Sequence, residues 1–153
     1  MYHRVVRRRL LLAGLVVGAM SLCGCGSSSA ASGGAGEFAR QQYERMSNGD
    51  RDKVYESLLP DQRSQDVLDA FWGCTEDVMG TLHMDTVEVA DVHDASITVG
   101  GVSHRAKAVT LKITLGDQQK TLARYVVKED GHWYAAVSDH KLEEWHHGIC
   151  ENP

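Results

Sequence analysis

The chain has 153 residues, 42% of them hydrophobic and 24% charged, with a formal net charge of -5. That length fits one domain with appendages, and the apolar content can fill a core, which excludes a wholly disordered or collagen-like chain. The mildly acidic balance lacks the basic surface that meets phosphates, so no nucleic-acid partner is expected.

The charge is unevenly spread. All four charges in residues 1–24 are positive: Arg4, Arg7, Arg8 and Arg9. Taking those four from the 16 basic residues leaves 12 against 21 acidic, a balance of -9. An apolar run, Leu10 to Met20, follows the arginines. It falls short of the roughly 20 residues that cross a bilayer. A basic segment followed by a short apolar one is the pattern of a secretory signal peptide. The next residues, Leu22-Cys23-Gly24-Cys25, resemble the bacterial lipoprotein box: an aliphatic residue, two small residues, then the lipidated cysteine. The resemblance implies a thioether-linked diacylglycerol on Cys25 and cleavage before it. Acyl chains would then hold the protein on the extracytoplasmic face of a bacterial membrane, each buried CH₂ contributing about 0.8 kcal/mol. An ordinary cleaved secretion signal with two incidental cysteines is the other reading.

The expected organisation is therefore a signal peptide over 1–24, a lipidated cysteine and Gly/Ser/Ala tether over 25–36, and a folded domain over 37–153. The tether composition, GSSSAASGGAG, cannot bury a core and reads as flexible linker. Of the four cysteines, Cys23 leaves with the signal and Cys25 carries lipid. Cys74 and Cys150 remain in an oxidising compartment, where an even pair reads as one disulfide. Two unpaired thiols is the alternative.

Helical spacing comes first along the domain. Phe38, Ala39, Tyr43 and Met46 share a face, and Asn48-Gly49 stops that helix. Asp50 can cap a short helix carrying Val54, Tyr55, Leu58 and Leu59, ended by Pro60. Ser64 can cap a third, with Val67, Leu68, Phe71 and Trp72, expected to break or bend near Gly73. After His83 the period falls to two. Strands are expected at Val87 to Val92 or His93, a short one at Ile97–Val99, then Ala108–Leu115, Thr121–Lys128 and Trp133–Val137. Turns at Gly100-Gly101, Gly116-Asp117 and Asp130-Gly131 separate the later ones. A short helix capped by Ser138 or Asp139 closes the chain.

Helices first and an antiparallel meander second is an α+β pattern. The stretch from Ala106 to the closing Lys128-Glu129-Asp130-Gly131-His132-Trp133-Tyr134 resembles the end of a nuclear-transport-factor-2-like domain. The resemblance covers roughly residues 37–137. It implies N-terminal helices packed on a curved antiparallel sheet, a concave interior able to hold a ligand, and a dimer through the sheet. Another cystatin-like helix-plus-sheet module is the competing fold.

Sequence chemistry is sparse. There is no phosphate-binding loop, GxSxG, HExxH or dinucleotide fingerprint, and no cofactor is expected. His140, Glu143, Glu144 and His147 would share a helix face, but a solvated polar face is the commoner source of that pattern, so no metal site is assigned. The resemblance brings isomerase-style catalysis, in which a carboxylate moves a proton. Tyr43, Tyr55 and Tyr125 could donate, and Asp66, Asp69 and Glu88 could act as base, yet no motif fixes any of them. Tyr43, Tyr55, Glu88, Arg124 and Tyr125 are the candidate pocket residues. Arg124 lies between Leu122 and Val126 on its own strand face. An interior face would require a carboxylate partner for it; the ordinary outer face is the expectation. The function expected is a lipid-anchored, non-catalytic binding module at the cell envelope. It would take a partner protein or an apolar small molecule. An isomerase- or hydrolase-type enzyme using a pocket carboxylate is the alternative.

Overall fold

The structure, a computed structural model, describes residues 29–79 and 85–150. The expected signal peptide and Cys25 lie outside them. The described chain is α+β: helices α1 (Ser29–Ser47), α2 (Arg51–Ser57) and α3 (Gln65–Met79), strands β1 (Thr86–Val99), β2 (Val102–Leu115), β3 (Gln118–Glu129) and β4 (His132–Ala136), then helix α4 (Asp139–His146). A 3₁₀ turn, Pro60–Gln62, links α2 to α3. The sheet is an antiparallel meander in the order β1-β2-β3-β4.

The alternation that announces the strands also divides the faces. Val109, Leu111, Ile113 and Leu115 of β2 and Leu122 and Val126 of β3 point to one side. There they meet Ala39, Tyr43 and Met46 of α1, Leu68 and Phe71 of α3 and Trp145 of α4 in one core cluster. Trp72 and Trp145 are buried and Trp133 packs against the edge of this core. A smaller cluster at the far end of the sheet joins Leu59, Ile97, Val99, Ala106, Val127 and Ala136.

Several boundaries differ from expectation. Helix α1 starts at Ser29, not near residue 37. The last eight residues of the expected tether, 29–36, are thus helical, and Ala35 is fully buried. The glycines there mark close approach rather than flexibility. A Cβ on Gly34 would stand 2.7 Å from Trp133 Nε1, and one on Gly36 would stand 3.0 Å from Val89 Cγ1. Only small residues let this helix lie against β1 and β4.

Strand β1 is continuous where two strands were expected. It pairs with β2 from Thr86↔Thr114 to Val99↔Val102, with one register shift between Val89 and Asp91. Its polar centre, Asp94-Ala95-Ser96, hides the period but keeps its ladder bonds. Helix α3 runs through Gly73 without a break, and Ser64 Oγ accepts from Val67 N at its start. Helix α2 ends at Ser57, before Leu58 and Leu59. Those two residues turn extended and lie along β4, where Leu58 bridges Ala135 and Leu59 N donates to Ala135 O. The Gln62 side chain continues that pairing. Its Nε2 donates to Val137 O at 2.6 Å, and its Oε1 accepts from Val137 N at 2.9 Å. The segment from Leu58 to Gln62 thereby covers an edge that would otherwise be open.

Two aspartates fix the hairpin turns. Asp139, in the first turn of α4, accepts from Gly100 N and Gly101 N, and Asp85 accepts from Gly116 N. Ser138 caps α4 by accepting from Lys141 N, one of the two expected caps. Cys74 of α3 and Cys150 beyond α4 form a disulfide with Cα atoms 4.9 Å apart.

Candidate functional site

Arg124 is the one charged residue buried among the described residues, 5% exposed. Its strand face is interior, and this corrects the expectation of an ordinary outer position. The physical reason is the alternation itself: Leu122, Arg124 and Val126 share a face, and the two aliphatic neighbours belong to the core.

Among the described residues no carboxylate meets it. The buried polar side chains among the described residues are Gln42, Ser57, Gln62, Thr75 and Arg124 itself. Aromatic rings surround the guanidinium instead. Its Cζ stands 5.1 Å from the Tyr43 ring centroid, 5.1 Å from Phe71 and 5.9 Å from Trp145. The Phe71 and Trp145 rings meet edge to face, with centroids 5.8 Å apart. Three helices therefore each bring one ring to a strand residue. Each ring face offers negative potential to the cation.

The hydrogen bonds are incomplete. Arg124 Nη1 donates to Ala123 O at 3.3 Å, and Nη2 donates to Thr75 Oγ1 at 3.4 Å. The Thr75 hydroxyl proton goes to Phe71 O, so its oxygen is left to accept. Arg124 Nε, the Tyr43 hydroxyl and Trp145 Nε1 are buried with no partner. The Gln42 amide, also on α1, donates to Ser57 Oγ on α2 and leaves its own Oε1 unpartnered.

Burial pushes the Arg124 guanidinium below its ordinary range, with the Tyr43 side chain acting the other way. Burial likewise pushes the Tyr43 phenol up, and the Arg124 charge only partly offsets it. A raised folded-state pKa means that the unfolded chain loses this proton first. The stability tied to neutral Tyr43 is present below the unfolded value near 10 and is lost as pH rises toward the folded value. The phenolate of Tyr43 should therefore form late in an alkaline ultraviolet titration, together with loss of helix circular dichroism. Tyr43→Phe should remove that late step. A curve unchanged by the substitution would contradict this placement of Tyr43.

The structure does not bring the other candidate residues to Arg124. Tyr55 donates from its hydroxyl to Arg63 O. Glu88 is exposed on β1 opposite Lys112. Tyr125, next to Arg124 on β3, points to the opposite, exposed face. Asp66 pairs with His146 at 3.0 Å and Asp69 with Arg51, both at the surface. On α4, Glu144 is engaged by Lys141 at 2.6 Å and lies 3.6 Å from His140. Among the described residues no group of three or more His, Cys, Asp or Glu side chains could hold a metal ion. Phe71, Thr75 and Trp145 are the site residues that sequence reasoning did not connect to Arg124. The i, i+4 spacing of Phe71 and Thr75 was the available signal.

A second feature is an open groove of about 390 Å³ between α1, α2 and β4. Phe38, Trp133 and Tyr134 give it aromatic walls, with Arg45, Lys53, Glu56 and His132 beside them. Lys128 covers the Trp133 ring at 5.5 Å, and Arg63 covers Tyr134 at 5.5 Å. That volume lies in the range of small-molecule sites.

The fold and both features place the described chain in the α+β class. No family model matches it, and neither does any curated protein or solved structure. No described helix is long and apolar enough to cross a membrane.

Proposed function

We propose that the chain is a lipid-anchored, extracytoplasmic binding module of nuclear-transport-factor-2-like type, and that it takes an apolar small molecule in the groove beside Trp133. The groove is the observation that carries this reading. Its aromatic walls suit a flat apolar body, and about 390 Å³ is small-molecule size. A protein partner would need roughly 800 Å² of surface on each side. The alternative reading, an enzyme using a pocket carboxylate, has less support. Glu56 lines the groove, but the groove is open and among the described residues no carboxylate is buried, whereas a catalytic base needs a titratable group facing a sheltered cavity.

Two measurements test the two halves of the proposal. For binding, the neutral fluorophore N-phenyl-1-naphthylamine should brighten on addition of the protein, and Trp133→Ala should weaken the effect about tenfold, the equivalent of 1.4 kcal/mol. Absence of brightening, or brightening indifferent to Trp133→Ala, would sink the groove as the site. For anchoring, Cys25→Ala should leave an uncleaved precursor and abolish labelling by radioactive palmitate. A variant that matures and fractionates like the wild type would remove the lipid anchor.

A further inference from the structure

Three buried polar atoms at Arg124 can donate and find no acceptor. Arg124 Nε and Trp145 Nε1 can only donate, and the Tyr43 hydroxyl can also do so. The described residues around them supply a carbonyl and a hydroxyl oxygen to the two Nη atoms, both at long range. Arg124 Nε and Trp145 Nε1 lack an acceptor, and among the described residues the guanidinium has no counter-charge. A water molecule would supply the first and not the second.

We propose that this cluster is a binding site for a small carboxylate, held by the Arg124 guanidinium with Tyr43 and Trp145 as further donors. The chemistry selects the class. A guanidinium offers parallel N–H bonds in a fork that matches the two oxygens of a carboxylate. A single negative charge neutralises the single positive one. A phosphate dianion would leave an uncompensated charge in the interior, which is costly. Phe71 and the flanking rings close the site against bulk water, so the pair would interact far more strongly than at the surface. This site is separate from the groove at Trp133 and does not depend on it.

The test is thermal denaturation of the purified mature chain in carboxylate-free buffer, with excess sodium acetate or acetamide added. Acetate should raise the wild-type Tm by about 5–10 °C, the shift expected when ligand is well above its Kd. It should leave Arg124→Met unmoved, and acetamide should move neither protein. Arg124→Lys, which keeps the charge and loses the fork, should respond to acetate by less than half as much. It serves as the second variant if Arg124→Met fails to fold. An equal response in wild type and the Arg124 variants would be a salt effect and would overturn the site. So would an equal response to acetamide. A larger shift with phosphate than with acetate would overturn the carboxylate class. Loss of N-phenyl-1-naphthylamine binding leaves this outcome untouched, so the two proposals fail separately.

Discussion

Breaking the bridge between Cys74 and Cys150, by reductant or by Cys150→Ala, is expected to lower the unfolding free energy by about 4 kcal/mol. The two residues are 76 apart in sequence. In the chain-entropy model a loop of that length removes roughly 4.5 kcal/mol of disorder from the unfolded chain, within the 2–5 kcal/mol usual for native disulfides. The location adds a local effect. The bridge ties α3 to the turn after α4, and α4 is a helix of 8 residues that places Trp145 in the core. A helix that short is marginal without tertiary support. Substituting Cys150 is the cleaner experiment, since it leaves Cys74 as a small buried apolar group in α3. The Tm should fall by at least about 10 °C. Trp145 should become accessible to fluorescence quenchers before the sheet melts. Equal melting with and without reductant, or two titratable thiols in the unreduced protein, would refute the bridge and its role.

The parts of this fold that the sequence reveals are those where one physical rule acts alone. In β2 the alternation of Val109, Leu111, Ile113 and Leu115 with exposed or half-buried partners fixes both the strand and its inward face. The paired Gly100-Gly101, with both residues at positive φ, marks a turn that side chains would strain. The failures come where two rules compete. Gly34, Ala35 and Gly36 have the composition of a linker, yet the same small residues are what close helix-to-sheet approach requires. Composition cannot separate the two uses. Only the positions of Trp133 and Val89 across the gap decide. Pro60 marks the right region for the end of α2, but the pairing of Leu58 with Ala135 draws the chain out of the helix sooner. Arg124 is the clearest case. Periodicity puts it inside with Leu122 and Val126, while its charge argues for outside. The sequence carries no sign that Tyr43, Phe71 and Trp145, from three separate helices, converge on one cation.

The second large effect expected is a gain of stability. Arg124→Met should raise the unfolding free energy by about 1–4 kcal/mol in carboxylate-free buffer, the range seen when buried charges are replaced by apolar residues of similar volume. The sign follows from comparing three terms. Removing a guanidinium from water costs several kcal/mol even after relaxation. Against this stand cation–π contacts, each worth up to about 2 kcal/mol when desolvated, and here the cation is shared among three rings. Two hydrogen bonds of 3.3 and 3.4 Å, both at the long end of useful geometry, add little. Methionine recovers part of the ring contact, because its sulfur also packs favourably on aromatic rings, by about 0.3–1.5 kcal/mol each. The unpartnered Trp145 Nε1 stays unpartnered in both proteins and cancels, while Tyr43 loses its interaction with the Arg124 charge. Urea denaturation of the two proteins in parallel measures the difference. A wild type more stable than Arg124→Met by over about 1 kcal/mol would mean that the aromatic cage compensates the charge unaided. A stabilised variant would show that this core holds an uncompensated cation at the expense of stability. That outcome is the one a binding role for Arg124 requires, since stabilising substitutions are often made at the cost of function.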